Sequence, residues 1–189
     1  MSRRFKIFAL FLIPILAGVV LYAMGRNLMC SCGYVRLWHG VVFSSENSQH
    51  IFDWYTFTHV VHGLLFYFIL WVIEKVSKTK IPFLHKILIA VLFESGWEIL
   101  ENTNYVINRY RSVTISLDYF GDSVINSLGD ILAMAVGFIV AYKKPIWVGV
   151  GLFLLLELSL LYFIRDNLTI NIIMLIHPIE ALKLWQAGG

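Results

Sequence analysis

Residues 122–142 read DSVINSLGDILAMAVGFIVAY. From Ile131 to Tyr142 the stretch carries no charge, while Asp122, Asn126 and Asp130 recur every four residues at its start. Residues four apart share one helix face, so the pattern predicts a helix with a polar stripe at one end only. At 1.5 Å per residue it is about 30 Å long, one hydrocarbon core. A charge in hydrocarbon is costly unless it is paired, hydrated or ligated. Two neighbouring segments repeat the design. Residues 52–73 carry Asp53, His59 and His62 at their start, and residues 83–101 carry Glu94, Glu98 and Glu101 at their end. His59 and His62 are three apart, and Glu94, Glu98 and Glu101 fall at i, i+4 and i+7, so each set occupies one face.

Working outward, residues 7–24 and 146–164 are further apolar runs of spanning length. A cleaved secretory signal competes for the first, with Ala23 and Gly25 as small residues near its end. The run is long for such a signal, and an uncleaved anchor is expected. The fifth run contains Glu157, an unusual acid at lipid depth. Residues 25–49 and 102–120 read as polar loops, the former with a short interfacial piece around Trp38. Residues 170–186, interrupted by Pro178, read as an amphipathic helix lying on the membrane, with a re-entrant or sixth span as the alternative. The expected architecture is all-α: one integral membrane domain over 1–189, a polytopic bundle of five spans plus a C-terminal interfacial helix.

Composition agrees. Of 189 residues, 59% are hydrophobic and 14% charged, against about half and a quarter in soluble domains. Aromatics reach 15%, which suits interfacial belts. The net charge of +3 is too small to argue for nucleic acid, and the lipid bilayer is the expected partner. Alternate loops collect Arg3, Arg4, Lys6, Lys75, Lys78, Lys80, Lys86, Lys143 and Lys144 on one side. Arg26, Arg36, Arg109, Arg111, Arg165 and Lys183 lie on the other. The first group sits in much shorter loops. The positive-inside rule then puts the N-terminus in the cytoplasm and the C-terminus outside. Cys30 and Cys32 are separated by one residue, a spacing at which a mutual disulfide is hard to close. Two free thiols are expected, with a metal half-site or an intermolecular disulfide as alternatives.

In this topology the start of span two, the end of span three and the start of span four share the outer face. His59 lies about 9 Å below Asp53, Glu94 about 10 Å below Glu101 and Asp130 about 12 Å below Asp122. The depths agree, so one buried polar site is expected in the outer half of the bilayer. Gly63, Gly96 and Gly129 lie nearby, where small residues let helices approach. His59, His62, Glu94, Glu98 and Asp130 are the candidate catalytic set. His59, His62, Glu98 and Asp130 have the ligand types for a divalent metal. Metal-free acid–base work by neighbouring carboxylates is the alternative. Asp53, Glu101, Asp122 and Asn126 are candidate ligand-binding residues. Arg109 and Arg111, just above, suit a phosphate or carboxylate head group or pair with Glu101 or Asp118.

The strings Ser48-Gln49-His50, Asp53-Trp54-Tyr55-Thr56, His59-Val60-Val61-His62-Gly63, Trp97-Glu98-Ile99-Leu100-Glu101-Asn102, Arg109-Tyr110-Arg111 and Gly121-Asp122-Ser123-Val124-Ile125-Asn126-Ser127-Leu128-Gly129-Asp130 resemble an uncharacterised family of small bacterial multi-pass membrane proteins. That resemblance implies the bacterial inner membrane. Asp53, His59, Glu98, Arg109, Asp122 and Asn126 are also loosely similar in order to the VanZ-like proteins associated with glycopeptide resistance. Trp54 stands where those proteins carry Lys, and the His spacing differs. Three functions are expected to compete: an envelope enzyme acting on a lipid or lipid-linked substrate, an ion- or proton-binding transport protein, and an envelope assembly factor. The sequence lacks a Ser or Cys nucleophile elbow, a phosphate loop and an HExxH motif.

Overall fold

The computed structural model describes residues 2–188, which form eight helices and one two-residue strand pair. The first long helix, α1 (Arg3–Ala23), starts where the Ser2 hydroxyl accepts the Phe5 N–H. The loop after it forms β1 (Trp38–His39), which pairs in parallel with β2 (Phe52–Asp53). The expected interfacial piece around Trp38 is therefore a strand. The second span starts late for the same reason, with α2 covering Thr56–Ser77. Next come α3 (Phe83–Glu101), α4 (Asn104–Val113), α5 (Val124–Lys143) and α6 (Ile146–Ile164), then α7 (Leu168–Ile176) and α8 (Glu180–Gln186).

Local chemistry sets these limits. Lys78 and Arg165 adopt left-handed backbone after α2 and α6, the conformation in which helices commonly end. Pro82 and Pro145 immediately precede α3 and α6, and Ser123 caps α5 by accepting the Asn126 N–H.

Two expectations are corrected. Residues 102–120 are not all loop, because Thr103 caps α4 and Val106, Ile107, Tyr110 and Val113 form its buried face. The tail is two short helices rather than one. The break falls around Pro178, whose missing N–H and ring disfavour helix continuation, and α7 at nine residues is about 14 Å long, too short to span.

Four helices, α1, α2, α5 and α6, are long and apolar enough to cross a membrane. Helix α3 has 19 residues, but Lys86, Glu94 and Glu98 fall within even its most apolar stretch, Phe83–Leu100. Burial ranks the spans: 61% of the apolar window of α5 is buried, against 39% for α2, 17% for α1 and 11% for α6. α5 is thus the centre of the bundle, and α1 and α6 are flanks whose exposed Phe8, Phe11, Ile15, Trp147, Leu155 and Leu158 are compatible with lipid contact.

Helices α2 and α5 meet almost backbone to backbone. A Cβ at Gly63 would overlap the Met134 carbonyl oxygen, and one at Gly137 the Val60 carbonyl. Gly129 is pressed against the Ile51 carbonyl in the same way, whereas Gly96 faces open space. Away from the polar stripes, Leu70, Ile87, Val91, Ile131, Met134 and Phe138 close an apolar core.

Candidate functional site

The close approach of α2 and α5, with α3 alongside, brings the three polar stripes together. His59 is the hub. Its Nδ1 lies 2.7 Å from Glu94 Oε1. An ionised carboxylate only accepts, so Nδ1 carries a hydrogen, and in the neutral ring Nε2 then keeps its lone pair. That Nε2 faces Asp130 Oδ2 at 3.9 Å, beyond hydrogen-bond reach. His62 Nδ1 sits 3.1 Å from both Glu94 oxygens. Glu94 therefore holds two imidazoles from α2 and is satisfied.

Glu98 and Asp130 are not. Both Glu98 oxygens and Asp130 Oδ1 are buried without a hydrogen-bond partner. Glu98 Oε1 approaches His59 Nδ1 to 3.3 Å, but the one hydrogen on that nitrogen already points at Glu94. Asn126, 1% exposed, also has its amide nitrogen unpartnered. Buried polar atoms are nearly always paired, so unpartnered carboxylate oxygens beside a free imidazole lone pair mark a place for a proton or a cation.

A divalent cation fits this donor set. Ligand atoms of His59, Glu98 and Asp130 lie within 4.8 Å of one another, as do those of His59, His62 and Glu94. The Glu94–His59 pair has the form of a carboxylate orienting a metal-binding histidine, in which the second nitrogen is fixed toward the ion.

Above the hub is a cavity of about 60 Å³, room for a few waters. Its lining includes His59, His62, Glu101, Asp122 and Asp130, with Tyr55, Thr58, Trp97, Tyr110 and Tyr119 as walls and Asn47 and Asn171 among the rest. Asn47, Tyr119 and Asn171 are half-buried, so the surface reaches the cavity here. Asp122 sits just ahead of α5. Its carboxylate accepts from Asn102 Nδ2 at 2.7 Å and Tyr119 at 3.2 Å, and its N–H donates to Asn102 Oδ1 at 2.7 Å. Burial pushes its carboxyl up to about 6.

The remaining candidates lie elsewhere. Asp53 is buried, but its carboxylate accepts the Ser48 and Tyr55 N–H groups and fixes the turn into α2. Arg109 gives Nε and Nη2 to the Leu175 carbonyl at the end of α7. Arg111 donates to the Leu117 carbonyl and stacks on Phe120. Neither guanidinium lines the cavity or pairs with Glu101 or Asp118. Glu157 pairs with neither Arg nor His. It accepts the Leu168 and Thr169 N–H groups, both at 3.1 Å, at the start of α7, where the helix dipole favours an anion. Beside it, Asp166 accepts from the Tyr55 hydroxyl at 3.0 Å and the Asn167 N–H at 2.9 Å. Burial raises Asp166 to about 7.

Cys30 and Cys32 are joined in a disulfide, which corrects the expectation of free thiols. Their Cα atoms are 5.1 Å apart, within the range a disulfide spans.

Asn102 was legible but passed over, since it extends the Glu94–Glu98 spacing by another four residues. Tyr55 stands at i, i+4 and i+7 with His59 and His62 and was legible in the same way, whereas Tyr119 and Asn171 belong to no periodic stripe and folding alone brings them in.

A family model described as "Protein of unknown function (DUF2585)" matches residues 21–188. The chain is similar to a UPF0314 protein of Paracoccus denitrificans, with 49% identity over 98% of this chain and 94% of the relative. A UPF0314 protein of Rhizobium meliloti is 50% identical over 99% of this chain and 94% of its own length. One from Novosphingobium aromaticivorans is 51% identical over 90% and 87%. No solved structure matches.

Proposed function

The chain belongs to the DUF2585 family, and we propose that it is a multi-pass protein of the bacterial inner membrane whose outer-half cluster holds one divalent cation for hydrolytic or acid–base chemistry on a lipid or lipid-linked substrate. In this reading α3 is the fifth span, tolerated because its charged residues turn toward α2 and α5 rather than lipid. The N-terminus is cytoplasmic. The Lys and Arg distribution supports this, and so does the disulfide in the loop after α1, because disulfides persist outside the cytoplasm.

The observation that carries the reading is the pair of buried carboxylates with unpartnered oxygens, Glu98 and Asp130, gathered with a His59 ring nitrogen within 4.8 Å of one another beside a water-sized cavity that His59 and Asp130 line. His59, Glu98 and Asp130 are the proposed ligands. Glu94 orients His59 and holds His62 at the edge. A cation there would supply positive charge to polarise an ester or phosphoryl oxygen and to activate water. Glu101 and Asp122 line the cavity above it as proton acceptors or donors toward the substrate.

The test is metal analysis of the protein purified in detergent, alongside Glu98→Gln and Asp130→Asn variants. One equivalent of a divalent metal in the wild type and none in folded variants is expected. A metal-free, fully folded wild type that takes up no added metal would sink the proposal. The lipid profile of a deletion strain then reads the substrate class.

One observation favours a second reading, ion or proton passage. The cavity has room for an ion and waters, and no guanidinium faces it to hold an anionic head group. Cation- or pH-driven flux in liposomes with an unchanged lipid profile would select it.

A further inference from the structure

A second cluster lies in the loop after α1, and the proposed cation site makes no use of it. Cys30 is 4% exposed, while Cys32 is half-buried. The Cys32 N–H points at Cys30 Sγ, 3.2 Å away. Both sulfurs lie within 4.8 Å of a Glu46 oxygen and a His50 ring nitrogen. His50 is fully buried, and its Nδ1 accepts the Arg36 N–H at 3.2 Å. The hydrogen of the neutral ring therefore sits on Nε2, which faces Glu46 Oε2 at 3.1 Å. Next to it His39, 4% exposed, has both ring nitrogens unpartnered, and the two rings are 5.1 Å apart.

A disulfide that served only as a staple would need no such surroundings. The tautomer also separates two chemistries. With Nδ1 occupied as an acceptor and the Nε2 hydrogen on Glu46, neither ring nitrogen of His50 offers a lone pair to a metal, which leaves the two sulfurs to thiol chemistry.

We propose that Cys30–Cys32 is a redox-active disulfide that takes two electrons from a dithiol on the outer side of the membrane. The incoming thiolate attacks Cys32 Sγ, the more accessible sulfur. The Cys30–Cys32 bond breaks and its electron pair goes to Cys30 Sγ, where the Cys32 N–H stabilises the thiolate. The second thiol of the reductant then attacks the mixed disulfide and releases Cys32. The reductant leaves as a disulfide, and its two protons pass through water to the two sulfurs. The exchange does not depend on the metal proposal.

The experiment uses the full chain in detergent, equilibrated in reduced and oxidised dithiothreitol mixtures. Thiols are trapped by maleimide and counted by mass, with thermal melting as the fold check. The expected result is a reversible two-thiol transition in folded protein. With glutathione disulfide, Cys30→Ser, which leaves Cys32, forms a mixed disulfide at least ~10-fold faster than Cys32→Ser, because exposure governs thiol reactivity. Thiols that appear only after unfolding, thiols that stay free in oxidised dithiothreitol, or equal rates for the two single-cysteine variants would each overturn the proposal.

Discussion

The two ends of α2 and α3 both bury charge, and they handle it in opposite ways. At the inner end Glu74 on α2 meets Lys86 on α3, and its other oxygen accepts the Ile81 N–H. One cation faces one anion, every carboxylate oxygen has a partner, and the pair ties the α2–α3 turn. At the outer end Glu94, Glu98 and Asp130 gather around two histidines, His59 and His62, with no Lys or Arg among them, and three of their carboxylate oxygens have no hydrogen-bond partner. A closed pair is scaffold. A surplus of buried carboxylate is a demand for something else, a proton or a cation, and it is the reason the proposed function is placed at that end.

The sharpest way to break this comparison is Glu98→Gln. If the outer end is a site, metal affinity falls by about 10³-fold, the loss of a charged ligand, while thermal stability holds or rises because a buried charge has been removed. A drop in stability with unchanged metal content would make the outer end scaffold as well. Lys86→Met is the mirror experiment. It should destabilise the protein by up to ~3 kcal/mol, since Glu74 is left without its partner, and leave metal stoichiometry unchanged, as read by melting and metal analysis. Glu94→Gln sharpens the outer end further. As an orienting rather than a ligating group, Glu94 should cost metal affinity about 10- to 100-fold, less than Glu98.

The smallest expected effect concerns pH. Asp166 holds its proton in the fold up to about 7, against about 4 in an unfolded chain. A folded-state value above the unfolded one means that this group's contribution is fully present below pH 4 and is lost as pH rises through 7. Melting of the wild type should therefore fall, relative to Asp166→Asn, between pH 4 and 7. Parallel curves would show that Asp166 is ionised in the fold.

The inner and outer ends were unequally legible. α3 and α6 begin and end where the sequence places them, because Pro82 and Pro145 precede their starts and apolar runs fill their lengths. The outer stripes were legible too, since residues four apart on a helix share a face whatever the tertiary context. Asn102 could have been read from that spacing. Helix α4 was missed because its Asn and Arg content masks a four-residue buried face. The role of Arg109 was out of reach, because it bonds a carbonyl 66 residues along the chain, and those of Arg111 and Glu157 because each bonds backbone groups of a following turn that no side-chain pattern announces.

Helical periodicity and hydropathy are local properties, so residue order alone makes this chain helical and apolar, with a stripe of ionisable residues near one end of each of three long segments. Which carboxylates are satisfied and which are not is set by how the helices pack. That depends on Gly63 and Gly137 letting α2 and α5 touch, so that Glu94 takes both imidazole hydrogens and leaves Glu98 and Asp130 without a partner.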